Sequence, residues 1–274
     1  MIDVVAALFV VSLALVALAA YGLSIVTSGR RAFPRVAKEG SSALLNRYPM
    51  EATHWALEPM GRSCARAGVS ANHVTAVSLL LAACAGVALG MGHWGLGGAL
   101  AAVSALGDTL DGIVARKAGT ASDAGETFDA VVDRYSEVFF LGGVACALRA
   151  SVALLVLTLA ALLASFMVSY TTAKAEALGV TLPRGTMRRP ERATYLTIGA
   201  LLGPVAALFG ASYSVAPIVL ALALVALVGN VSAVRRIASL MALSRFASEA
   251  ASEPAAPASR DDFTHRTATT EATR

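Results

Sequence analysis

The chain has 274 residues, of which 57% are hydrophobic and only 15% are charged, and its mean hydropathy is +0.67. Because soluble domains carry about 25% charged residues, this composition excludes an ordinary soluble enzyme and indicates a membrane protein with several spanning helices. The three cysteines are scattered without the spacing of a metal site or a disulfide framework. No dinucleotide-binding or P-loop motif is present in the sequence, and we expect no nucleic-acid partner.

The first predicted element is a membrane-spanning helix over residues 4–27, a run without charged residues. About 20 apolar residues are enough to cross a bilayer. A cleaved signal peptide is the alternative, but the run is longer than the apolar region of such a peptide, and Asp3 stands where Lys or Arg is usual. We therefore expect a retained helix in an N-terminal region 1–29. The basic residues that follow predict that its carboxyl end lies in the cytoplasm: Arg30, Arg31, Arg35 and Lys38.

Residues 30–71 interleave polar and apolar side chains, which predicts an amphipathic helical segment along the cytoplasmic membrane surface. Tyr48 and Trp55 would then lie at the level of the lipid headgroups. A soluble juxtamembrane linker is the alternative interpretation of this segment.

Six further helices are predicted within residues 72–237, and glycine-rich or proline-marked turns separate several of them. Their approximate bounds are 73–91, 95–115, 126–148, 151–174, 193–210 and 214–234. With the N-terminal helix they make seven spans, and of the 22 Lys and Arg residues Arg149 is the clear exception to a cytoplasmic position. This distribution predicts an integral protein of the cell inner membrane with its N-terminus outside and its C-terminus in the cytoplasm. Residues 238–274 are expected to form a cytoplasmic, largely disordered tail.

Two pairs of aspartates lie between residues 106 and 137 of this mostly apolar chain. Asp108 and Asp111 are spaced i,i+3, and Asp129 and Asp133 are spaced i,i+4, so each pair lies on one face of its own helix. The two helices are predicted to be antiparallel neighbours, so both pairs should reach about the same depth, near the cytoplasmic boundary. A carboxylate inside a membrane is costly unless it is paired, hydrated or metal-bound. Four converging carboxylates suit Mg²⁺ or Mn²⁺, and two such ions could clamp a pyrophosphate.

A membrane cation or proton transporter is the alternative, because paired membrane carboxylates also occur in such proteins without transfer chemistry. The small and basic residues between the aspartates favour an enzyme. The full pattern is Asp108-x2-Asp111-Gly112-x2-Ala115-Arg116-x8-Gly125-x3-Asp129-x3-Asp133. It resembles, at every fixed position, the motif of the CDP-alcohol phosphotransferase family. The resemblance extends over about residues 70–237, including Asn72 and Thr75. It implies an all-α integral membrane fold, in which the family's six-helix bundle is joined here by one extra N-terminal transmembrane helix.

The resemblance implies an enzyme of phospholipid synthesis that transfers a phosphatidyl group from a CDP-linked lipid, such as CDP-diacylglycerol, to an alcohol and releases CMP. Asp108, Asp111 and Asp129 match the metal-binding aspartates of the family. Asp133 matches the last aspartate, which is thought to deprotonate the acceptor hydroxyl, and we also place it among the metal ligands. The candidate nucleotide-binding residues are Gly112, Ala115, Arg116, Thr120, Ser122 and Gly125. The family also implies a homodimer.

A second polar cluster between residues 170 and 192 carries the candidate acceptor-binding residues, which are Lys174, Arg184, Arg188, Arg189 and Arg192. These cations could simply follow the excess of positive charge on the cytoplasmic side and contact anionic lipids. Alternatively, they bind the phosphate of a sugar- or polyol-phosphate acceptor. Lys174-Ala-Glu176 and Glu191-Arg192 are similar to the family branch that makes inositol-phosphate lipids, although Thr172 stands where that branch often has a second basic residue. Inositol phosphate, glycerol 3-phosphate and the free alcohols inositol, serine and choline stay open as acceptors.

Overall fold

A computed structural model of the protein describes residues 1–33, 36–37, 46–182 and 185–252. Within these ranges its regular elements are all helical, as the sequence predicts. The α-helices are α1 (Ile2–Ser28), α2 (Arg47–Arg66), α3 (Ala71–Gly90), α4 (Trp94–Ala118), α5 (Asp123–Leu148), α6 (Val152–Ala177), α7 (Arg189–Ala206) and α8 (Ala216–Ser252). Short 3₁₀ turns at Ala207–Phe209 and Ala211–Val215 connect α7 to α8. Arg35, Lys38, Arg184 and the tail beyond residue 252, all named above, lie outside the described residues.

Six of the described helices are long and apolar enough to cross a membrane, namely α1, α3, α4, α6, α7 and α8. The remaining predicted span, α5, has 26 residues and is long enough as well, at about 39 Å for 1.5 Å per residue. The α5 helix is not among these six because its first half carries several charged side chains. The protein is therefore an all-helical integral membrane protein. The largest difference from the predicted bounds is at the end of α8, which continues past residue 237 to Ser252 and makes the first part of the expected tail helical.

Two glycines bring the backbones of α3 and α5 into direct contact. A methyl group at Gly143 would overlap the carbonyl oxygen of Gly86, and one at Gly86 would overlap the carbonyl oxygen of Phe139. Small residues at such positions let two membrane helices pack closely. The contact adjoins the main apolar core, whose buried members include Leu89 and Val144. It fixes the position of α5, and hence of the second aspartate pair, relative to α3.

The N-terminal helix α1 packs against α4 and α7. Ala7 is buried against Ala99 of α4 and Leu201 of α7. Asp3 lies at the start of α4, where its Oδ1 accepts a hydrogen bond from the Leu96 backbone N–H over 3.0 Å and its Oδ2 lies 3.0 Å from His93 Nδ1. A carboxylate at a helix N-terminus is favourable because the unpaired backbone N–H groups and the helix dipole attract negative charge.

The amphipathic helix α2 is held between α1 and α4. Glu51 of α2 accepts hydrogen bonds from the Tyr21 hydroxyl over 2.9 Å and from Arg30 Nε and Nη2, each over 3.0 Å. The Glu51 carboxylate hydrogen-bonded to the guanidinium raises the pKa of Arg30. On the other side of α2, Gly61 allows close contact with Ile113 of α4. The segment predicted to lie on the membrane surface therefore also braces the half of α4 that carries aspartates.

Candidate active site

A helix break brings the two aspartate pairs together. Asp108 and Asp111 lie in the second half of α4, and Gly119, directly after the helix, adopts the left-handed conformation with φ 68° and ψ 22°. Glycine adopts this conformation without a steric penalty. The chain then turns back, and Ser122 caps the start of α5 by accepting a hydrogen bond from the Gly125 backbone N–H over 3.2 Å. The first turns of α5 consequently return the second aspartate pair to the level of the first.

Three of the four aspartates form a compact carboxylate group. Asp108, Asp111 and Asp129 each offer one oxygen, and these oxygens lie within 4.8 Å of one another. Asp111 is buried and accepts a hydrogen bond from the Thr75 hydroxyl over 2.7 Å. Asp108 Oδ1 is buried and has no hydrogen-bond partner among the described residues. Clustered carboxylate oxygens, one of them buried and unsatisfied, fit a hard divalent cation such as Mg²⁺ or Mn²⁺.

Asp133 lies outside this three-carboxylate group and interacts with Arg189 instead. The Arg189 guanidinium forms ion pairs with both Asp133 of α5 and Asp108 of α4. One arginine of α7 therefore connects both helices that carry aspartates. Asp133 is buried, only 8% exposed, so the positive charge of Arg189 offsets part of the cost of burying its carboxylate.

A small cavity of about 70 Å³ lies at this bridge. Its polar lining comes from α4, α5 and α7, and its apolar lining includes alanines of α3 and α4. The polar lining residues are Ser104, Asp108, Asp133, Ser136, Glu137 and Arg189. The cavity extends from the carboxylate group into the bundle and places buried polar atoms next to small apolar side chains.

The candidate nucleotide-binding residues surround the same end of the bundle. Gly112 and Ala115 follow Asp108 and Asp111 by one turn each, on the same face of α4. Arg116 is exposed on the last turn of α4. Beyond the helix, the Thr120 backbone N–H donates to the Ala115 carbonyl over 3.0 Å and closes the helix end. Ser122 and Gly125 form the cap described above. Their assignment to nucleotide binding stays a prediction.

The candidate acceptor-binding residues that the structure describes differ in exposure and in their partners. Arg189 contacts the aspartates, whereas Lys174 is exposed on the last turn of α6. Arg188 is partly buried at the start of α7, where its backbone N–H donates to Glu191 Oε2 over 3.2 Å. Arg192 has no exposed side-chain surface and donates two hydrogen bonds to Glu137 Oε1, over 3.0 and 2.7 Å.

Sequence reasoning missed two charged residues of this region, Glu137 and Arg236. Glu137 follows Asp133 by four residues, and this spacing already placed it on the aspartate face of α5. Arg236 of α8 donates from Nη1 to Thr172 Oγ1 over 2.8 Å and lies close enough to Arg192 and Arg188 for their positive charges to repel. No sequence signal connects Arg236 to Thr172, because 64 residues separate them.

The model of the CDP-alcohol phosphatidyltransferase family matches residues 69–234. The chain belongs to this family. The match contains both aspartate pairs and the whole of α3 to α7, whereas α1 and α2 precede it. The motif-based expectation of the family is thereby confirmed.

Relatives within the CDP-alcohol phosphatidyltransferase family include synthases of inositol-phosphate lipids. The archaetidylinositol phosphate synthase of Pyrococcus horikoshii is 34% identical over 152 residues, which are 54% of this chain and 78% of that protein. The phosphatidylinositol phosphate synthase of Corynebacterium glutamicum is 34% identical over 150 residues, which are 52% of this chain and 68% of that protein.

The fold matches that of a solved family member, the phosphatidylinositol phosphate synthase of Mycobacterium tuberculosis. Its crystal structure with CDP-DAG bound has a TM-score of 0.61 and 26% identity, and covers 67% of this chain and 92% of that chain. Its complex with manganese and citrate has a TM-score of 0.61 and 25% identity, and covers 68% and 88% respectively. The predicted fold class, a CDP-alcohol phosphotransferase bundle with an additional N-terminal helix, is therefore confirmed.

Proposed function

We propose that this protein transfers a phosphatidyl group from CDP-diacylglycerol to an alcohol acceptor and releases CMP, using Mg²⁺ or Mn²⁺. The observation that carries the proposal is the group of Asp108, Asp111 and Asp129 next to a buried Asp133, in a chain that belongs to the CDP-alcohol phosphatidyltransferase family. A divalent cation held by the three carboxylates would neutralise charge on the pyrophosphate and stabilise CMP as it leaves.

We assign Asp133 the role of general base. Its second proposed role is that of a fourth carboxylate ligand of the metal. In the reaction, the acceptor hydroxyl gives its proton to Asp133, and its oxygen attacks the phosphorus that carries the diacylglycerol. The bond from this phosphorus to the bridging oxygen breaks, and CMP leaves with that oxygen. Arg189 pairs with Asp108 and Asp133 here, and an arriving phosphate could take over its N–H donors and release Asp133 to act as a base.

The nucleotide is assigned to the last turn of α4 and to the start of α5. Gly112, Ala115 and Gly125 have little or no side chain, so a cytidine nucleotide can approach the backbone at these positions. Arg116 supplies a charge for its phosphates, and Thr120 and Ser122 of the connection supply polar contacts. The support for this assignment is that all six positions lie at the aspartate end of α4 and α5.

We infer that the acceptor is an inositol phosphate. Two lines of support are independent of each other: relatives 34% identical are named as inositol-phosphate lipid synthases, and several guanidinium groups lie around the start of α7. Arg188 and Arg236 could bind the acceptor phosphate, and Arg236 extends from α8 to Thr172, the position where a basic residue was expected. Lys174 and Arg184 complete the proposed acceptor group. Glycerol 3-phosphate, serine, choline and free inositol remain the competing outcomes.

The orientation in the membrane is also part of the proposal. The concentration of Lys and Arg near the aspartate end supports an N-terminus outside, a cytoplasmic active site and a cytoplasmic C-terminus in the cell inner membrane. A site at the membrane edge can receive a lipid laterally and a water-soluble acceptor from the cytoplasm. A homodimer is proposed from the family resemblance.

The decisive experiment measures CMP release by purified protein from CDP-diacylglycerol and Mg²⁺ or Mn²⁺, with a panel of phosphorylated and free alcohols. We expect CMP and lipid product with inositol phosphate, and none after chelation of the metal. Absence of CMP with every acceptor would refute the proposal. The alternative, a cation or proton transporter, predicts ion flux into proteoliposomes without CDP-diacylglycerol.

A further inference from the structure

One helical turn beyond the Arg189 bridge lies a second ion pair between the same two helices. Glu137 of α5 and Arg192 of α7 form it, and the Arg192 side chain is completely buried. Arg134 also donates to Glu137, at Oε2 over 3.3 Å, so both oxygens of this carboxylate have a cationic partner. Removing such a pair from water is costly, and apolar side chains could fill the same space. Its presence therefore calls for a role beyond packing.

Arg192 also holds the turn that leads into α7. Its Nη1 donates to the carbonyl oxygen of Met187 over 2.7 Å. Met187 is fully buried and has a positive φ of 57°. This is the left-handed backbone conformation, which residues other than glycine rarely adopt. A residue persists in this conformation only where its surroundings hold it there. The hydrogen bond from Arg192 is one such constraint.

Arg189 lies between the two residues joined by this hydrogen bond, two residues after Met187 and three before Arg192. Spacing of three places Arg189 and Arg192 on one face of α7, and spacing of four places Asp133 and Glu137 on one face of α5. Two parallel ion pairs therefore connect α5 and α7, and the cavity lies beside both.

We propose that Glu137 and Arg192 are positioning residues, which hold the start of α7 so that the Arg189 guanidinium faces Asp108 and Asp133. The proposal rests on the proposed function, because it concerns how Arg189 is presented to the substrate phosphates. It assigns Arg192 a place behind the acceptor site, since its donors are already engaged with Glu137, Met187 and Ser169.

The test is a double-mutant cycle with Glu137→Gln and Arg189→Lys. Glutamine keeps the shape of Glu137 and removes its charge. We expect Glu137→Gln to lower kcat/KM for CDP-diacylglycerol about tenfold or more, because a displacement of about 1 Å from a mutation away from the chemistry can cost up to about 10²-fold. In the Arg189→Lys background the same substitution should have little further effect, since both changes act through one guanidinium. Equal losses in both backgrounds would overturn the proposal.

Binding supplies a readout that does not require turnover. The same four proteins are titrated with CDP in the presence of Mn²⁺, and Glu137→Gln should weaken binding with Arg189 present and not in the Arg189→Lys background. If the wild-type protein forms no CMP, the proposed function fails, and the binding cycle alone decides the positioning role. Unchanged CDP binding in Glu137→Gln, with kcat/KM also unchanged, would refute that role.

Two further variants separate positioning from folding. Glu51→Gln removes the charge of a buried carboxylate in another ion pair, with Arg30, away from the site, and should leave kcat/KM unchanged. Arg192→Lys keeps a positive charge but loses the paired donors to Glu137, so it should reproduce the effect of Glu137→Gln. It replaces Glu137→Gln in the cycle if that variant does not fold. A loss of activity in Glu51→Gln as large as in Glu137→Gln would indicate a general loss of stability.

Discussion

Thr75 of α3 donates its hydroxyl hydrogen to Asp111 Oδ2 of α4 over 2.7 Å, and both residues are buried. The hydrogen bond orients one carboxylate of the proposed metal site from a neighbouring helix. Residues that hold a metal ligand in this way affect metal affinity although they do not bind the metal themselves.

We expect Thr75→Val to weaken binding of Mn²⁺ about 10- to 100-fold, because valine has the shape of threonine and lacks the donor. Electron paramagnetic resonance of Mn²⁺ with the purified protein measures the change. Thr158→Val is the matched control, since Thr158 is also buried but donates to the Leu154 carbonyl within its own helix. Equal affinity in Thr75→Val and wild type would show that the hydrogen bond does not support the metal site.

Asparagine substitutions should separate the roles of Asp129 and Asp133. Asp129→Asn removes a carboxylate of the compact group, so it should abolish Mn²⁺ binding and CMP release. Asp133→Asn should keep CDP-diacylglycerol binding and lower turnover by about 10² or more, since it removes a general base. Near-normal turnover in Asp129→Asn contradicts the metal assignment. Loss of CDP-diacylglycerol binding in Asp133→Asn contradicts the base assignment.

Neutralising Arg236 should affect the acceptor and not the lipid donor. Arg236→Gln removes a charge beside Arg188 and Thr172, so we expect the KM for inositol phosphate to rise about tenfold or more, the usual effect of losing a hydrogen bond to a charged group. The KM for CDP-diacylglycerol should not change. Arg235→Gln is the control, because Arg235 is adjacent in sequence and exposed. A rise in both KM values would indicate distortion of the whole site.

Adding one methyl group at the contact of α3 and α5 should destabilise the protein. At Gly143 it would overlap the Gly86 backbone, so we expect Gly143→Ala to cost about 1–3 kcal/mol and to lower the melting temperature in detergent. Gly142→Ala is the control, since no atom other than its neighbours lies within 4 Å of the added methyl group. The contact would be less tight than described if both variants melted at the same temperature.

Most of the helical architecture could be predicted from apolar runs of spanning length. The predicted bounds of α3 and α6 are within three residues of the observed ones. The prediction was less accurate for α7, which begins in polar sequence, and for α8, which ends in polar sequence. Hydropathy identifies the part of a helix that lies in the membrane and does not detect a helical continuation in polar sequence. The α8 helix continues to Ser252, beyond the end of its apolar run.

The aspartate spacing by itself determined that Asp108 shares a helix face with Asp111, and Asp129 with Asp133. The full motif, with its Gly, Ala and Arg positions, indicated the family. Only the tertiary structure decided that Arg189 bridges Asp108 and Asp133, that Arg192 is buried against Glu137, and that Arg236 reaches Thr172. The physical reason is that these pairs join different helices. Which arginines meet a carboxylate therefore depends on how α4, α5, α7 and α8 pack, and local periodicity carries no information about that packing.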